Sequence, residues 1–330
     1  MLDRLRQPWQ DNRAERSLGA VAVLIAVGVV AMVVFVAVHA WPTFSHDGLS
    51  WLGPAPKGTS LEEQISTMQA TGVNAPAAAY HLSAWPLIYG TILCTVPAVL
   101  IGLLVAILSS IFIVELAPRR LRRVAIPVIR LLASVPSVVY GLIGVLVLVP
   151  FVGNHLITAS EKTSLQNTVE LTGAGLIVAV VILTVMITPI MVALICEALV
   201  SVPSSWREGA IALGVNPVRA MLAVSLRAAR PAIVAAAVLA TARALGEAIM
   251  ISMVSGSRDF APRISDGLTF LYEPFRSLAS AIVDYHEGIG APALSSALYA
   301  FALLLLFSAL VLSVGGYLIK LPLRRYQVRG

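Results

Sequence analysis

Gly173–Ala198 reads GAGLIVAVVILTVMITPIMVALICEA, and its one charged side chain, Glu197, stands next to the last residue. A bilayer hydrocarbon core about 30 Å thick is crossed by roughly 20 apolar residues in a helix, each rising about 1.5 Å. The run is long enough to cross once. Its apolar residues are continuous and do not alternate with period two, so a helix, which satisfies its own backbone, is expected over a barrel strand. Working outward, similar runs lie at Leu18–Ala40, Trp85–Glu115 and Ala125–Phe151 before it, and at Ala232–Val254 and Ser295–Ile319 after it. Together they predict an all-α integral membrane protein with six transmembrane helices. Of the 330 residues 58% are hydrophobic and 12% charged, against about 45–50% and 25% in soluble domains, so a water-soluble enzyme is all but excluded. Cys94 and Cys196 both lie inside apolar runs and offer neither a disulfide framework nor a metal cluster. Pro97, Pro127, Pro136 and Pro189 are expected to bend the spans that hold them. Trp85 and Tyr89 suit an outer interface.

The basic residues set the expected orientation. Four segments hold 16 of the 23 Lys and Arg: the N-terminal arm, the stretch after the second span, the segment between spans four and five, and the tail. The three intervening loops hold Lys57, Lys162, Arg258, Arg263 and Arg276, while Arg130 and Arg243 fall within spans. By the positive-inside rule both termini are cytoplasmic, and 42–84, 153–172 and 256–294 are external. The net charge of +6 therefore reads as a topology signal and not as a nucleic-acid footprint. The expected division is a cytoplasmic arm 1–17, an uncleaved signal anchor 18–40, an external loop 41–84, a transmembrane domain 85–319 and a cytoplasmic tail 320–330. Within that domain the spans are 85–115, 125–151, 173–198, 232–254 and 295–319, with a cytoplasmic loop at 199–231. The first apolar run exceeds the roughly 7–15 residues of a cleaved signal peptide, hence the anchor. The external segment 42–84 reads as a loop or interfacial hairpin, with only Gln64–Gln69 hinting at a helix.

The long loop between spans four and five runs Ser201-Val202-Pro203-Ser204-Ser205-Trp206-Arg207-Glu208-Gly209-Ala210-Ile211-Ala212-Leu213-Gly214, then Val215-Asn216-Pro217 and a basic helix ending at Arg230-Pro231. Ser204 or Ser205 is expected to cap a short helix, and Gly214 with Asn216-Pro217 to stop it. Its bland reading is an amphipathic linker. Its functional reading is an element that a soluble partner grips. Glu208-Gly209-Ala210 with Leu213-Gly214 resembles the EAA loop of bacterial ABC importer permeases, with Gly209 in place of the usual Ala. In that family the short helix sits in a cleft of the ATPase subunit, which implies that Glu208, Gly209, Ala210, Leu213 and Gly214 couple the chain to an ATPase. The family's Leu-Pro at the loop's end is Leu226-Arg227 here, followed by Ala228–Pro231.

Arg243-Ala244-Leu245-Gly246-Glu247 places two charges inside a span. A charge at mid-bilayer costs about 2.5–3.5 kcal/mol on insertion scales and marks a functional site by default. At i, i+4 spacing the two side chains share a helix face. They are either a self-neutralising pair that lets the helix insert, or a cation held by a carboxylate until an anionic substrate arrives. A guanidinium fork suits oxyanions because its donors are parallel. The string is similar to one in permeases for phosphate, and to a related one in those for molybdate and sulfate. In the third span Pro136 frees a carbonyl, and Ser134 and Ser137 either rebond the kink or face a substrate path.

Trp85–Thr91, Glu115–Arg122 and Ser134–Leu142, taken with the two motifs above, resemble the phosphate-specific ABC importer permeases, the PstC-type subunit more than its PstA-type partner. The resemblance covers the chain from Trp85 to the end and implies a type I ABC importer permease fold in a bacterial inner or plasma membrane. It further implies a homologous PstA-type permease, two ATPase subunits and an extracytoplasmic phosphate-binding protein as partners, beside membrane lipid. No cofactor is implied. Gly-x-x-x-x-Gly-Lys-Ser/Thr is missing from the sequence, so any ATP hydrolysis belongs to another chain. An importer of another oxyanion, an ion-coupled carrier and a phosphate-sensing scaffold are the rival readings.

Overall fold

The computed structural model describes residues 8–54, 61–70, 82–158, 171–259 and 261–323. The expected arm at 1–7 and tail from 324, and parts of the loops at 55–60, 71–81 and 159–170, lie outside them. Six helices are long and apolar enough to cross a membrane, and no β-ladder forms among the described residues. At the centre stands α7 (Leu176–Val200), whose Leu183, Met186, Ile187, Met191 and Ile195 are fully buried. Helix α3 (Trp85–Ile111) packs along it through small residues, Ala98, Gly102 and Ala106. A Cβ on Gly102 would come within 2.9 Å of the Met191 methyl carbon. Small residues are what membrane helix interfaces select, since lipid gives apolar side chains no reason to prefer protein. Helix α10 (Leu226–Leu245) meets α7 the same way, burying Ala236, Ala240 and Ala244.

Lipid solvation explains α1 (Pro8–Asp47). From Glu15 to Phe35 every residue is exposed, Leu18, Leu24 and Val30 among them. In water such a stripe would collapse; in hydrocarbon it costs nothing. Only its last turns dock, where Ala40 and Thr43 are buried and Thr43 bonds Ser296 at 2.7 Å on α13 (Pro292–Leu323).

Two expected spans are corrected. The run Ala125–Phe151 is not one crossing. Arg119–Ala133 forms a separate amphipathic helix, α4, and the helix long enough to cross is Ser137–His155, comprising α5 (Ser137–Ile143), a widened turn at Gly144–Leu148 and α6 (Val149–His155). Pro136 divides them: it donates no N–H and has extended backbone at ψ 139°, while Ser134 Oγ donates back to the Leu131 carbonyl at 2.7 Å. The fifth crossing is likewise shifted. It runs Pro217–Leu245, through α9 (Pro217–Ala220) and a widened turn at Met221–Ser225 into α10, with Pro231 buried inside the helix instead of ending it. The break falls at Gly246-Glu247-Ala248, and α11 (Ile249–Val254) follows.

Two of the segments expected to be external carry ordered structure among the described residues. Trp51 is 2% exposed and packs with α2 (Leu61–Ala70) through Leu61, Ile65 and Met68 against Leu294, Leu298 and Phe301 of α13. Backbone bonds from Ala84 to Trp51, 2.7 Å, and from Leu82 to the Asp47 carboxylate, 3.0 Å, pin the descending chain. A short helix α12 (Leu278–Asp284), opened by a Ser277–Ser280 capping box, completes a cap over this end of the bundle, named the outer cap after its expected side.

Candidate functional site

Two places carry the residues singled out in the sequence. In the first, Arg243 sits in the last turn of α10 and Glu247 in the break that follows. Placing Arg243 there is electrostatically sound, because the last carbonyls of a helix favour a cation. Arg243 Nε lies 3.4 Å from Glu247 Oε1. The Glu247 side chain is 11% exposed and that of Arg243 36%. At that distance the contact is a charge attraction, and Nε, itself buried, makes no hydrogen bond. The guanidinium is thus restrained by one carboxylate but keeps uncommitted donors.

The helices that follow the two breaks, α5 after Pro136 and α11 after Gly246, pack together beside this pair. Helix α11 packs on α5, with Gly141 so close that a Cβ would stand 2.9 Å from the Met253 sulfur and 3.2 Å from the Met250 Cα. Tyr140 is near enough to feel the charge of Arg243, and its hydroxyl donates across the Pro136 break to the Leu132 carbonyl at 3.0 Å. Of the two serines assigned to a substrate path, Ser134 is exposed and gives its hydroxyl to its own helix end. Ser137 is half-buried in the first turn of α5, one turn before Tyr140.

The second place is α8 (Ser204–Ala212) with the turn after it. Gly214 has φ +84°, a conformation glycine adopts freely. Around it Gly214 N–H donates to Ile211 O at 2.9 Å and Val215 N–H to Ala210 O at 3.1 Å, the paired bonds of a Schellman stop. Asn216 then caps α9, accepting from Val218 N–H at 2.9 Å. The expected serine cap at the start of α8 is not made: Pro203 stands at the cap position and no side chain bonds there. Glu208, Gly209 and the apolar side chains of Trp206, Ile211 and Leu213 are exposed, Leu213 at 86%. The inner side of α8 is held by Arg207, ion-paired with Glu115 in the widened turn Phe112–Leu116 that continues α3. With Arg122 and Ser225 these two line a cavity of about 160 Å³. The Glu115–Arg207 link joins residues far apart in sequence, and no spacing argument reaches it.

A third cluster was missed altogether. Arg276, 8% exposed, lies in the outer cap, with Nη1 2.5 Å from Asp259, Nε 2.9 Å from Asp284 and Nη2 donating to the Ser257 carbonyl at 2.6 Å. Its guanidinium also bonds Tyr285, over whose ring it sits, and Tyr285 donates to Asp259. Burial raises the Asp259 carboxyl above its ordinary range, against the opposing pull of Arg276 and of the Tyr285 hydroxyl. Burial raises the Tyr285 phenol too, and the Asp259 charge adds to it. Ser252 of α11 bonds Asp284, tying the cap to the segment that follows Glu247. The one signal in the sequence is that the three segments poor in Lys and Arg, 42–84, 153–172 and 256–294, hold 10 of the 17 acids.

Residues 98–321 match the family described as binding-protein-dependent transport system inner membrane component. A probable ABC transporter permease of Bacillus subtilis, YqgH, is 32% identical over 78% of this chain and 76% of its own. A probable phosphate transport system permease protein PstC of Methanocaldococcus jannaschii is 32% identical over 69% of this chain and 72% of its own. A phosphate transport system permease protein PstC of Mesorhizobium japonicum is 29% identical over 91% of this chain and 86% of its own. Among solved structures, a chain of the MetNI methionine ABC transporter is 18% identical, covers 73% of this chain and 94% of its own, and gives a TM-score of 0.46.

Proposed function

The chain belongs to the family of binding-protein-dependent transport system inner membrane components, and from that premise we propose that it is the PstC-type permease subunit of an ATP-driven phosphate importer. The observation that carries the reading is Arg243 at the end of α10, restrained by Glu247 at 3.4 Å but with Nε unbonded, beside the meeting of two broken helices. Support for phosphate comes from the relatives that carry that name, among them the Mesorhizobium japonicum protein aligned over nearly the whole chain.

On this reading, an external binding protein delivers phosphate to the outer mouth of a channel shared with a homologous PstA-type permease. The anion competes with Glu247 for Arg243. A guanidinium offers two parallel donors to an oxyanion and so offsets part of its lost hydration. Glu247 keeps that affinity moderate, since a site that bound too tightly would not release. Two ATPase subunits, separate chains, grip Glu208–Gly214. Their closure moves α8, and through Arg207 and Glu115 the inner end of α3, between outward- and inward-open arrangements. Both termini are cytoplasmic, in a bacterial inner or plasma membrane.

The test is reconstitution of the chain with the neighbouring permease, ATPase and binding protein in vesicles. Labelled phosphate should accumulate only with ATP, and excess sulfate or molybdate should leave accumulation unchanged. Uptake without ATP makes the protein a carrier and defeats the proposal; competition by molybdate or sulfate at parity moves the substrate to another oxyanion.

A further inference from the structure

Helix α4 divides its surface among three environments. At about 100° per residue, Arg119, Arg122, Arg123 and Arg130 fall on one face, and Leu121, Val124, Val128 and Leu132 on the opposite one. A third face, Ala125, Ile126 and Ile129, is half-buried against the central core beside α7. The apolar face is open, with Val124 61% exposed and Leu121, Val128 and Leu132 each 45–46%. On the basic face Arg130 is paired with Glu197 at 2.8 Å, and Arg122 reaches the Val114 carbonyl at 3.4 Å. Arg119, Arg120 and Arg123 pair with no carboxylate among the described residues. Arg119, Arg122 and Arg123, with Ile126 and Pro127, border an open groove of about 470 Å³. The start of α4 lies at the same end of the molecule as α8, because Arg122 lines one cavity with Glu115 and Arg207.

We propose that α4 lies in the cytoplasmic interface of the bilayer and that Arg119, Arg120 and Arg123 bind the headgroup phosphate of an anionic glycerophospholipid, while Leu121, Val124, Val128 and Leu132 rest on its acyl chains. Charge and shape both select this occupant. A helix with one basic and one apolar exposed face matches a surface that is anionic above and hydrocarbon below. The inner leaflet supplies negative charge where the positive-inside distribution places these arginines. Free phosphate would satisfy the arginines but leave the apolar face unaccounted for. The inference goes beyond the transport reading and does not depend on the substrate.

The full chain is reconstituted in nanodiscs of phosphatidylcholine with a minority of phosphatidylglycerol, and the lipid retained after mild detergent extraction is weighed by mass spectrometry. Phosphatidylglycerol should be enriched on the wild-type chain, and raising the salt should reduce the enrichment. Each arginine is expected to contribute about fivefold, so R119Q/R120Q/R123Q should lose enrichment by roughly 100-fold; the triple Lys variant should retain most of it. Adding inorganic phosphate should not displace the lipid. A photo-crosslinking residue at Val128 should yield adducts of lipid mass. Equal retention of both lipids by the wild type, full enrichment in the triple Gln variant, displacement by inorganic phosphate, or adducts to another protein chain would each overturn the proposal. If the triple Gln variant does not accumulate, the salt, phosphate and Val128 measurements on an otherwise intact chain decide it.

Discussion

Arg243 and Arg276 each face carboxylates inside the same chain, yet their surroundings have little in common. Arg243 has one acidic partner at 3.4 Å and an Nε that bonds nothing. Arg276 has Asp259, Asp284, Tyr285 and the Ser257 carbonyl, with its ring-facing side against Tyr285. An arginine with four of its five N–H donors engaged fixes the groups around it; one with most donors left over is available to a newcomer. The difference lies in the backbone. Arg276 sits where α12, the loop at 256–259 and Tyr285 converge. Arg243 sits in the last turn of a helix, where only Glu247 of the break that follows comes back to it.

The contrast breaks first at Arg276. Arg276→Gln should strand Asp259 and Asp284 in the outer cap, a loss of about 3–5 kcal/mol for a buried pair deprived of one partner. Membrane abundance, read by immunoblot, should fall sharply. Arg243→Gln should keep abundance but cut phosphate uptake by about 100-fold, the equivalent of two charge-assisted hydrogen bonds at about 1.5 kcal/mol each. Converting Glu247 to Gln as well should not restore uptake, because the substrate contact is still missing. Equal abundance losses in Arg276→Gln and Arg243→Gln would erase the distinction, and full uptake in the neutral double variant would return Arg243 to a structural role.

What the sequence made legible follows from which forces are local. Six apolar runs were readable because lipid imposes the same demand on every crossing, whatever its neighbours. Their ends were not. Pro231 looked like a stop but lies inside α10, since a missing N–H is tolerated where surrounding helices hold the segment. Gly246, a weaker signal, marks the actual break. The five arginines of Arg119–Arg130 already fell largely on one helical face, and the apolar face opposite them was absorbed into a crossing that begins only at Ser137. The Gly214 turn was readable because its requirement is local. The Arg276 cluster was not, because its partners at 257, 259, 284 and 285 come from separate segments on either side of it that no helical or strand period links.

Two smaller effects sharpen the comparison at the proposed coupling surface. Gly214→Ala should cost about 1–2 kcal/mol in the geometry of the turn, since its φ is left-handed. Uptake should drop several-fold with abundance unchanged. Gly209→Ala faces open space within 4 Å and should raise helix stability by about 0.5–1 kcal/mol while leaving uptake near wild type. Thermal unfolding in detergent and vesicle uptake measure both. A Gly214→Ala chain that transports normally would separate this turn from coupling.

The continuous crossing Pro217–Leu245 has a mechanical consequence. Its 29 residues make a rod roughly 40 Å long at about 1.5 Å each. One end emerges directly from the exposed turn at Gly214–Asn216; the other carries Arg243. Beyond Arg243 the helix stops at Gly246, and α11 is tied to the cap through Ser252 and Asp284. Levering the near end by about 5° swings the far tip by some 3–4 Å against a stationary mooring, for a rod of this rise per residue. That stroke is as long as the 3.4 Å between Arg243 and Glu247, so on the proposed reading a small tilt at the α8 end is the input that parts the pair.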